Sequence, residues 1–207
     1  MIDYTNLTKI QTDTLQEVIT IATGNAATAL SQITGKQILI KTHGTTIVPV
    51  SKLNEVICRG QGLEQLVIGL FFRILGEMSG RVLLVFPKES ARNLTLLLLD
   101  QPQTKDINLY DIEKSTLMEI GNIVTNCYLN GLSHVSDLTI LPSIPHYAQD
   151  MMGAVLDYLI IELAQESDYA LMWETEFSSP EMMIRGDFLI FPEKSSLDVI
   201  LNKLGIA

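Results

Sequence analysis

Hydrophobic positions recur at helical spacing in two long stretches of the chain. The first stretch runs from Leu7 to Ile33, and the second runs from Asp111 to Leu132. In both, apolar residues return every three or four positions, which is the repeat of an amphipathic helix with one side in a core. The pattern therefore predicts two long helices in equivalent places in the two halves of the chain.

Shorter apolar runs, bounded by glycine, proline or polar residues, follow each long helix and predict strands. Each half closes with a short helical pattern, and the second half has an extra helix in its middle, at 149–165. The two series match segment by segment, which indicates an internal duplication. The predicted segments are strands 37–44, 64–75 and 79–87 and helix 89–100, then strands 137–145, 168–178 and 183–192 and helix 195–204.

The two halves resemble each other most clearly near their ends. GRVLLVFPKES starts at Gly80 and GDFLIFPEKSS at Gly186, and both read as a strand, a proline and a capped helix start. Short turns between consecutive strands require antiparallel pairing. We predict one α/β (α+β) domain over 1–207, with long helices covering one face of a largely antiparallel sheet. Its first half, linker and second half are expected at 1–100, 101–110 and 111–207.

Composition and charge exclude several classes of protein. Of the 207 residues, 47% are hydrophobic and 18% are charged, which is typical of a globular chain. The formal net charge of −10 argues against sequence-independent binding of nucleic acid, but it is compatible with a basic protein partner. The N-terminus is polar and no apolar run approaches the roughly 20 residues of a bilayer span. We therefore expect a cytoplasmic protein without membrane insertion.

Cysteine and histidine usage argues against a metal site or a disulfide framework. Cys58 and Cys127 are the two cysteines, and we expect them to be buried free thiols. The three histidines, His43, His134 and His146, are scattered and lack the spacing of metal ligands. The sequence predicts no metal and no cofactor of the protein's own.

Polar side chains form a stripe along the second long helix. At about 3.6 residues per turn, Ser115, Glu119, Asn122 and Asn126 fall on one side of this helix, opposite its apolar face. We call these four residues the polar stripe. Helix geometry alone leaves open whether it is an active site or a solvated face. The residues predicted to face the core are Leu117, Ile120, Val124, Cys127 and Tyr128.

The first long helix repeats this arrangement with one substitution. Asp13, Glu17 and Thr20 form its outward stripe, with Glu17 in the place of Glu119 and Thr20 in the place of the amide Asn122. The residues predicted to face inward are Leu15, Val18, Ala22, Ala26 and Ala29.

These residues resemble the signature of the CheC, CheX and FliY phosphatases, [DS]-x3-E-x2-N-x22-P. Ser115, Glu119 and Asn122 satisfy its first three positions, and Pro145 stands where its proline is required. Residues 24–36, GNAATALSQITGK, also resemble the stretch that follows the motif in the first half of CheC proteins. Together with the tandem layout and the length, the resemblance covers nearly the whole chain.

The first copy departs from the signature. It consists of Asp13, Glu17, Thr20 and His43, so that threonine replaces the asparagine and histidine replaces the proline. The acid is kept and the amide is lost. We therefore expect one working site, on the second long helix, and a degenerate first site.

The resemblance implies a hydrolase that removes the phosphoryl group from the aspartyl-phosphate of a CheY-like response regulator in chemotaxis signalling. In that role Asn122 positions the attacking water, and Glu119 pairs with a lysine of the receiver, which is the phosphorylated domain of the response regulator. Ser115 supports docking, and Pro145 shapes the neighbouring loop. Asn126 is expected to make a rim contact or to be solvated. Magnesium is expected on the receiver substrate only.

Two other functions remain open from the sequence. One is a non-catalytic adaptor that binds the deamidase CheD or sequesters the phosphorylated response regulator. The other is a structural role like that of FliY in the flagellar switch. The intact pair of Glu119 and Asn122 favours the enzyme. Internal pseudo-symmetry makes a monomer the simplest expectation.

Overall fold

The computed structural model describes residues 8–44, 46–57, 62–98, 109–163, 168–179, 182–203 and 205. Six helices and eight strands lie in these ranges. In chain order they are α1 Lys9–Thr34, β1 Leu39–Thr42, β2 Thr46–Pro49, α2 Leu53–Ile57 after a 3-10 turn at Val50–Lys52, β3 Leu66–Gly76, β4 Gly80–Pro87, α3 Lys88–Leu98, α4 Leu109–Ser136, β5 Ile140–Pro142, β6 His146–Met151, α5 Met152–Leu163, β7 Tyr169–Ser179, β8 Met182–Pro192 and α6 Lys194–Lys203.

The predicted long helices and main strands are confirmed, with shifts at their ends. α4 begins at Leu109, so the end of the predicted linker is helical, while residues 101–108 lie outside the described ranges. The helix expected at 149–165 begins only at Met152, because residues before it pair with β3 as strand β6. Strand β2 and helix α2 were not predicted. Cys58 and residues 1–7 also lie outside the described ranges.

All eight strands form one antiparallel sheet with the order β1-β7-β8-β4-β3-β5. The edge strands cross between the halves of the chain. β1 and β2 from the first half pair with β7, and β5 and β6 from the second half pair with β3. Each half therefore completes the sheet of the other half.

Helices cover both faces of this sheet. Alternate strand residues point to opposite sides, so that Val82 and Leu84 join one core whereas Leu83 and Val85 join the other. The first core contains α1, α3 and α4, which confirms the long helices on one face. The shorter helices α2 and α5 cover the second face, which the sequence interpretation had left uncovered.

The two long helices are held together by close packing and by three hydroxyl groups. A Cβ atom on Gly131 of α4 would lie 2.8 Å from Ala22 Cβ of α1, so the helices approach each other where both residues are small. Nearby, the hydroxyl of Tyr128 lies 3.1 Å from both Thr23 Oγ1 and Thr42 Oγ1. These contacts fix α4 relative to α1 and to strand β1.

The hairpin that connects β3 to β4 is tied to the segment before β5. The carboxylate of Glu77 accepts a hydrogen bond from the backbone N–H of Thr139, with a distance of 2.7 Å. The Thr139 backbone N–H lowers the pKa of Glu77 below its usual value of 4.5. Because the folded-state pKa lies below the unfolded one, this carboxylate stabilises the fold above about pH 4.5, and its contribution is lost as pH falls through the folded pKa.

Replacing Glu77 by glutamine is expected to lower stability slightly at pH 7, because the neutral amide binds the Thr139 N–H less strongly than a carboxylate does. The difference between wild type and Glu77→Gln is expected to shrink as the pH falls below about 4.5. Urea unfolding of both proteins at several pH values measures it. A difference that stays constant with pH would contradict the role of the charge.

Candidate functional site

The polar stripe lies on the outer side of α4, as its spacing predicts. Ser115 and Glu119 are exposed, and Asn122 and Asn126 are half-buried. The opposite side is in the core as predicted, with Cys127 only half-buried, and burial raises the pKa of its thiol. The residues buried there are Leu117, Ile120, Val124 and Tyr128.

Close packing on the sheet holds this part of α4 in place. Gly121 lies directly between Ile120 and Asn122, and a Cβ atom there would stand 2.5 Å from Leu70 Cδ1 of β3. Leu70 is itself fully buried. The backbone of α4 therefore lies so close to β3 that a side chain at position 121 would collide with Leu70. This close packing gives the polar stripe a rigid support.

Glu119 and Ser115 differ in their available hydrogen-bonding groups. Glu119 makes no ion pair or hydrogen bond with the described part of the chain, so its carboxylate is open to a partner. The hydroxyl of Ser115 donates to the carbonyl of Ile112 at 3.1 Å. This local bond uses the hydroxyl proton and leaves the oxygen of the exposed Ser115 able to accept a hydrogen bond, which suits a contact residue.

Asn122 is held by a second carboxamide one turn later. Nδ2 of Asn126 donates to the backbone carbonyl of Asn122 at 2.8 Å and to its side-chain Oδ1 at 3.0 Å. Nδ2 of Asn122 makes no hydrogen bond with any described residue. The two asparagines therefore form one unit with an unused amide donor.

The surroundings of the polar stripe differ on its two sides. On one side lies an open groove of about 330 Å³ between α4 and the ends of α1 and α3, with a largely apolar lining. On the other side the Lys114 ammonium lies 5.5 Å from the centre of the Tyr147 ring. Burial, with Tyr110 and Glu113 nearby, raises the pKa of Tyr147 to about 12, so this phenol stays protonated near neutral pH.

The degenerate copy on α1 is also exposed but lacks the same chemistry. Asp13, Glu17 and Thr20 all face outward, as predicted. The Thr20 hydroxyl donates to the carbonyl of Gln16 at 2.7 Å, so its single proton is used within the helix. No carboxamide stands at this position of α1.

The last positions of the two motif copies lie in strand connections. Pro145 is half-buried in the segment 143–145 between β5 and β6. Its counterpart His43 follows β1, and its Nε2 lies 3.4 Å from Oε2 of Glu176. The roles assigned to Pro145 and to the other motif residues stay predictions.

Neither a metal-binding cluster nor a membrane-spanning helix is present in the described ranges. Within the described ranges, no three His, Cys, Asp or Glu side chains are grouped so that they could hold a metal ion. None of the helices in those ranges combines the length and hydrophobicity that a bilayer crossing requires.

The contact between Asn126 and Asn122 is the feature that the sequence interpretation missed. Asn126 was expected to be a rim residue or solvated, whereas it binds Asn122 directly. The signal was present in the sequence, because side-chain amides at positions i and i+4 of a helix are neighbours.

Comparisons with known proteins show what the chain is similar to. No family model matches it. It is 26% identical to the CheY-P phosphatase CheC of Bacillus subtilis over 209 aligned positions, which cover 98% of this chain and 97% of that protein. The structure of Thermotoga maritima FliY matches with a TM-score of 0.73 and 17% identity over 96% of this chain and 98% of that one.

A third match is a complex. The structure of Borrelia burgdorferi CheX with CheY, BeF3 and Mg²⁺ matches with a TM-score of 0.53 and 14% identity, over 86% of this chain and 98% of that one. At these low identities, the structural matches establish a shared fold.

Proposed function

We propose that the chain is a CheC-like member of the CheC, CheX and FliY family and that it hydrolyses the aspartyl-phosphate of a CheY-like response regulator in the cytoplasm, at one site on α4. The observation that carries the proposal is the outward pair of Glu119 and Asn122, with an open carboxylate and an unused amide donor. The Bacillus relative named as a CheY-P phosphatase, and the CheX solved with CheY, support the substrate.

Positioning of water is the main task of the proposed site. An aspartyl-phosphate is a reactive acyl phosphate, and the receiver brings its own magnesium, so the enzyme need only place a water molecule in line with the departing aspartate. A carboxamide suits this task because its oxygen accepts a hydrogen bond from water while its NH2 donates one. Asn122 supplies that group from a rigid helix.

Glu119 serves to bind the receiver. It precedes Asn122 by nearly one helical turn, and its carboxylate is exposed and unpaired within the described chain. A lysine of the receiver's active site would form a charge-assisted hydrogen bond with it and fix the register of the two proteins. The net charge of −10 also favours approach of a basic surface.

The apolar groove beside the polar stripe extends the proposed docking surface. Ser115 and Glu119 form part of its wall, and Ile33 at the end of α1 is 65% exposed there. An apolar side chain of the receiver seated in this groove would lose its contact with water and add affinity next to the reacting group. The groove thus supplies contact area while the polar residues supply orientation.

The experiment that tests the proposal uses the chain at a small fraction of the concentration of a phosphorylated chemotaxis receiver. An enzyme turns over, so the rate of phosphate loss is expected to rise in proportion to the amount of chain, over many substrate molecules per molecule of chain. If the receiver loses phosphate only at its own rate while still binding the chain, the enzyme proposal is wrong.

The alternative function is an adaptor that binds CheD or sequesters the phosphorylated regulator. It is favoured by the first copy of the motif, which keeps exposed Asp13 and Glu17 but has lost the amide. Sequestration requires stoichiometric amounts of chain and gives no turnover, so the same assay separates the two functions.

Replacing Glu119 by glutamine is expected to weaken binding of the receiver by about 10- to 100-fold, because a hydrogen bond to a charged group is worth about 1.5–3 kcal/mol. The effect should appear in KM, and it should decrease as salt concentration rises. Titration calorimetry and initial rates at two salt concentrations measure it.

Glu17→Gln is the matched control, because Glu17 is the equivalent exposed acid on α1. We expect wild-type KM and kcat for this variant. Equal losses in Glu17→Gln and Glu119→Gln would show that both helices bind the receiver and would contradict a single site.

A further inference from the structure

We propose that Asn126 is a positioning residue, which fixes the rotamer of Asn122 and also which end of its carboxamide, Oδ1 or Nδ2, is free. The expected effect on catalysis rests on the proposed phosphatase function, whereas the effect on the conformation of Asn122 does not. The argument starts from the two hydrogen bonds that Asn126 Nδ2 donates, to the backbone carbonyl and to the side-chain Oδ1 of Asn122.

The backbone carbonyl of Asn122 determines the orientation of the Asn126 carboxamide. A carbonyl oxygen only accepts hydrogen bonds, so the Asn126 atom at 2.8 Å from Asn122 O must be the donor Nδ2 and not Oδ1. This assignment removes the usual uncertainty between the two ends of an asparagine amide.

The same reasoning then fixes the orientation of the Asn122 carboxamide. The side-chain atom of Asn122 that lies 3.0 Å from Asn126 Nδ2 must be an acceptor, so it is Oδ1. The free end of Asn122 is therefore its NH2 group. Oδ1 keeps a second lone pair, so Asn122 can accept a hydrogen bond from water and still donate from Nδ2. Asn126 thus holds the carboxamide before the receiver arrives, which reduces the entropy lost on reaching a reactive geometry.

The first copy of the motif lacks both members of this pair. Thr20 stands in the place of Asn122, and Gly24 stands in the place of Asn126, four residues later on α1. A Cβ atom on Gly24 would meet no atom within 4 Å, so a side chain fits there. The two helices of one chain therefore provide a site with the pair and a site without it.

The first test uses Asn126→Ala and Asn126→Asp, with Asn130→Asp as the matched control. Asn130 is exposed one turn further along α4. Asn126→Ala removes the donor and frees the Asn122 side chain. Asn126→Asp places an ionised acid there, which only accepts hydrogen bonds, so the Asn122 carboxamide turns around and presents its NH2 group to residue 126. We expect kcat to fall by about 10- to 100-fold without a matching change in the Kd for the receiver. Wild-type kcat in both Asn126 variants would overturn the inference.

Nuclear magnetic resonance provides a readout that does not depend on activity. Three-bond couplings report the χ1 rotamer of Asn122, which we expect to be single in the wild type and in Asn130→Asp, and averaged in Asn126→Ala. An averaged rotamer in the wild type would overturn the inference. If the wild type has no phosphatase activity but the couplings change as expected, the proposed function has failed and the positioning role stands.

A second test rebuilds the pair on α1 in an Asn122→Ala background, where the kcat of the α4 site is expected to be about 100- to 1,000-fold lower. Thr20→Asn restores one amide, and Thr20→Asn with Gly24→Asn restores both. We expect the double variant to exceed the single variant by about 10-fold in kcat. Equal activity of the two, including none in both, would count against the pair as the working unit.

Discussion

The change Asn122→Ala is expected to lower kcat for a phosphorylated receiver by about 100- to 1,000-fold, which is the range for loss of one preorganised hydrogen-bonding group. The reaction needs little from the protein beyond an oriented water, so loss of the orienting amide removes most of the acceleration. Affinity should change little, because Glu119 and the groove remain. Rates of phosphate loss and titration calorimetry together measure the effect.

Two comparisons make this prediction specific to the amide of Asn122. Asn130→Ala removes the same side chain from an exposed position of α4 and is expected to keep wild-type activity. Asn122→Asp keeps the size and one acceptor but loses the NH2 donor and adds a negative charge facing the phosphoryl group, so it should be as inactive as Asn122→Ala. Substantial activity in Asn122→Ala would place the chemistry elsewhere.

The change Gly76→Ala is expected to lower the free energy of unfolding by about 2–4 kcal/mol. Gly76 ends β3 with a φ of 109°, a conformation that side chains rarely tolerate. An alanine Cβ would lie 2.2 Å from the backbone oxygen of Thr139, and a backbone carbonyl cannot move aside as a side chain can. Urea unfolding measures the loss.

The position of Gly76 explains why the loss should be large. It pairs with Ile140 of β5, where the second half of the chain joins the sheet edge of the first half. The Glu77 side chain and backbone also bind Thr139 there, so one displacement disturbs several hydrogen bonds. A wild-type free energy of unfolding in Gly76→Ala would contradict this account.

Gly24→Ala is the matched control for the glycine substitution. Gly24 lies inside α1, and its missing side chain faces open space. Alanine is a better helix former than glycine by about 1 kcal/mol, so this variant should be more stable than the wild type. Opposite changes in the free energy of unfolding at Gly76 and Gly24 would show that backbone conformation and neighbouring atoms decide the effect of the added methyl group.

What the sequence determined by itself is local and periodic. The two long helices were predictable because apolar residues recur every three or four positions over many turns. Strands alternate with a period of two and loops have no period, so neither gives this pattern. The same periodicity placed Ser115, Glu119 and Asn122 on one outward stripe. The main strands β3, β4, β7 and β8 were also predictable, since each is a sustained apolar run with a clear stop.

Only the tertiary structure decided which strands are neighbours and how the site is held. β1 and β2 pair with β7, far away along the chain, and such pairing depends on contacts that no local pattern contains. The short strand β2 has too few residues to show a period, and β6 was obscured by the helix that follows it. The orientation of Asn122 likewise depends on atomic distances to Asn126, which spacing along a helix permits but does not determine.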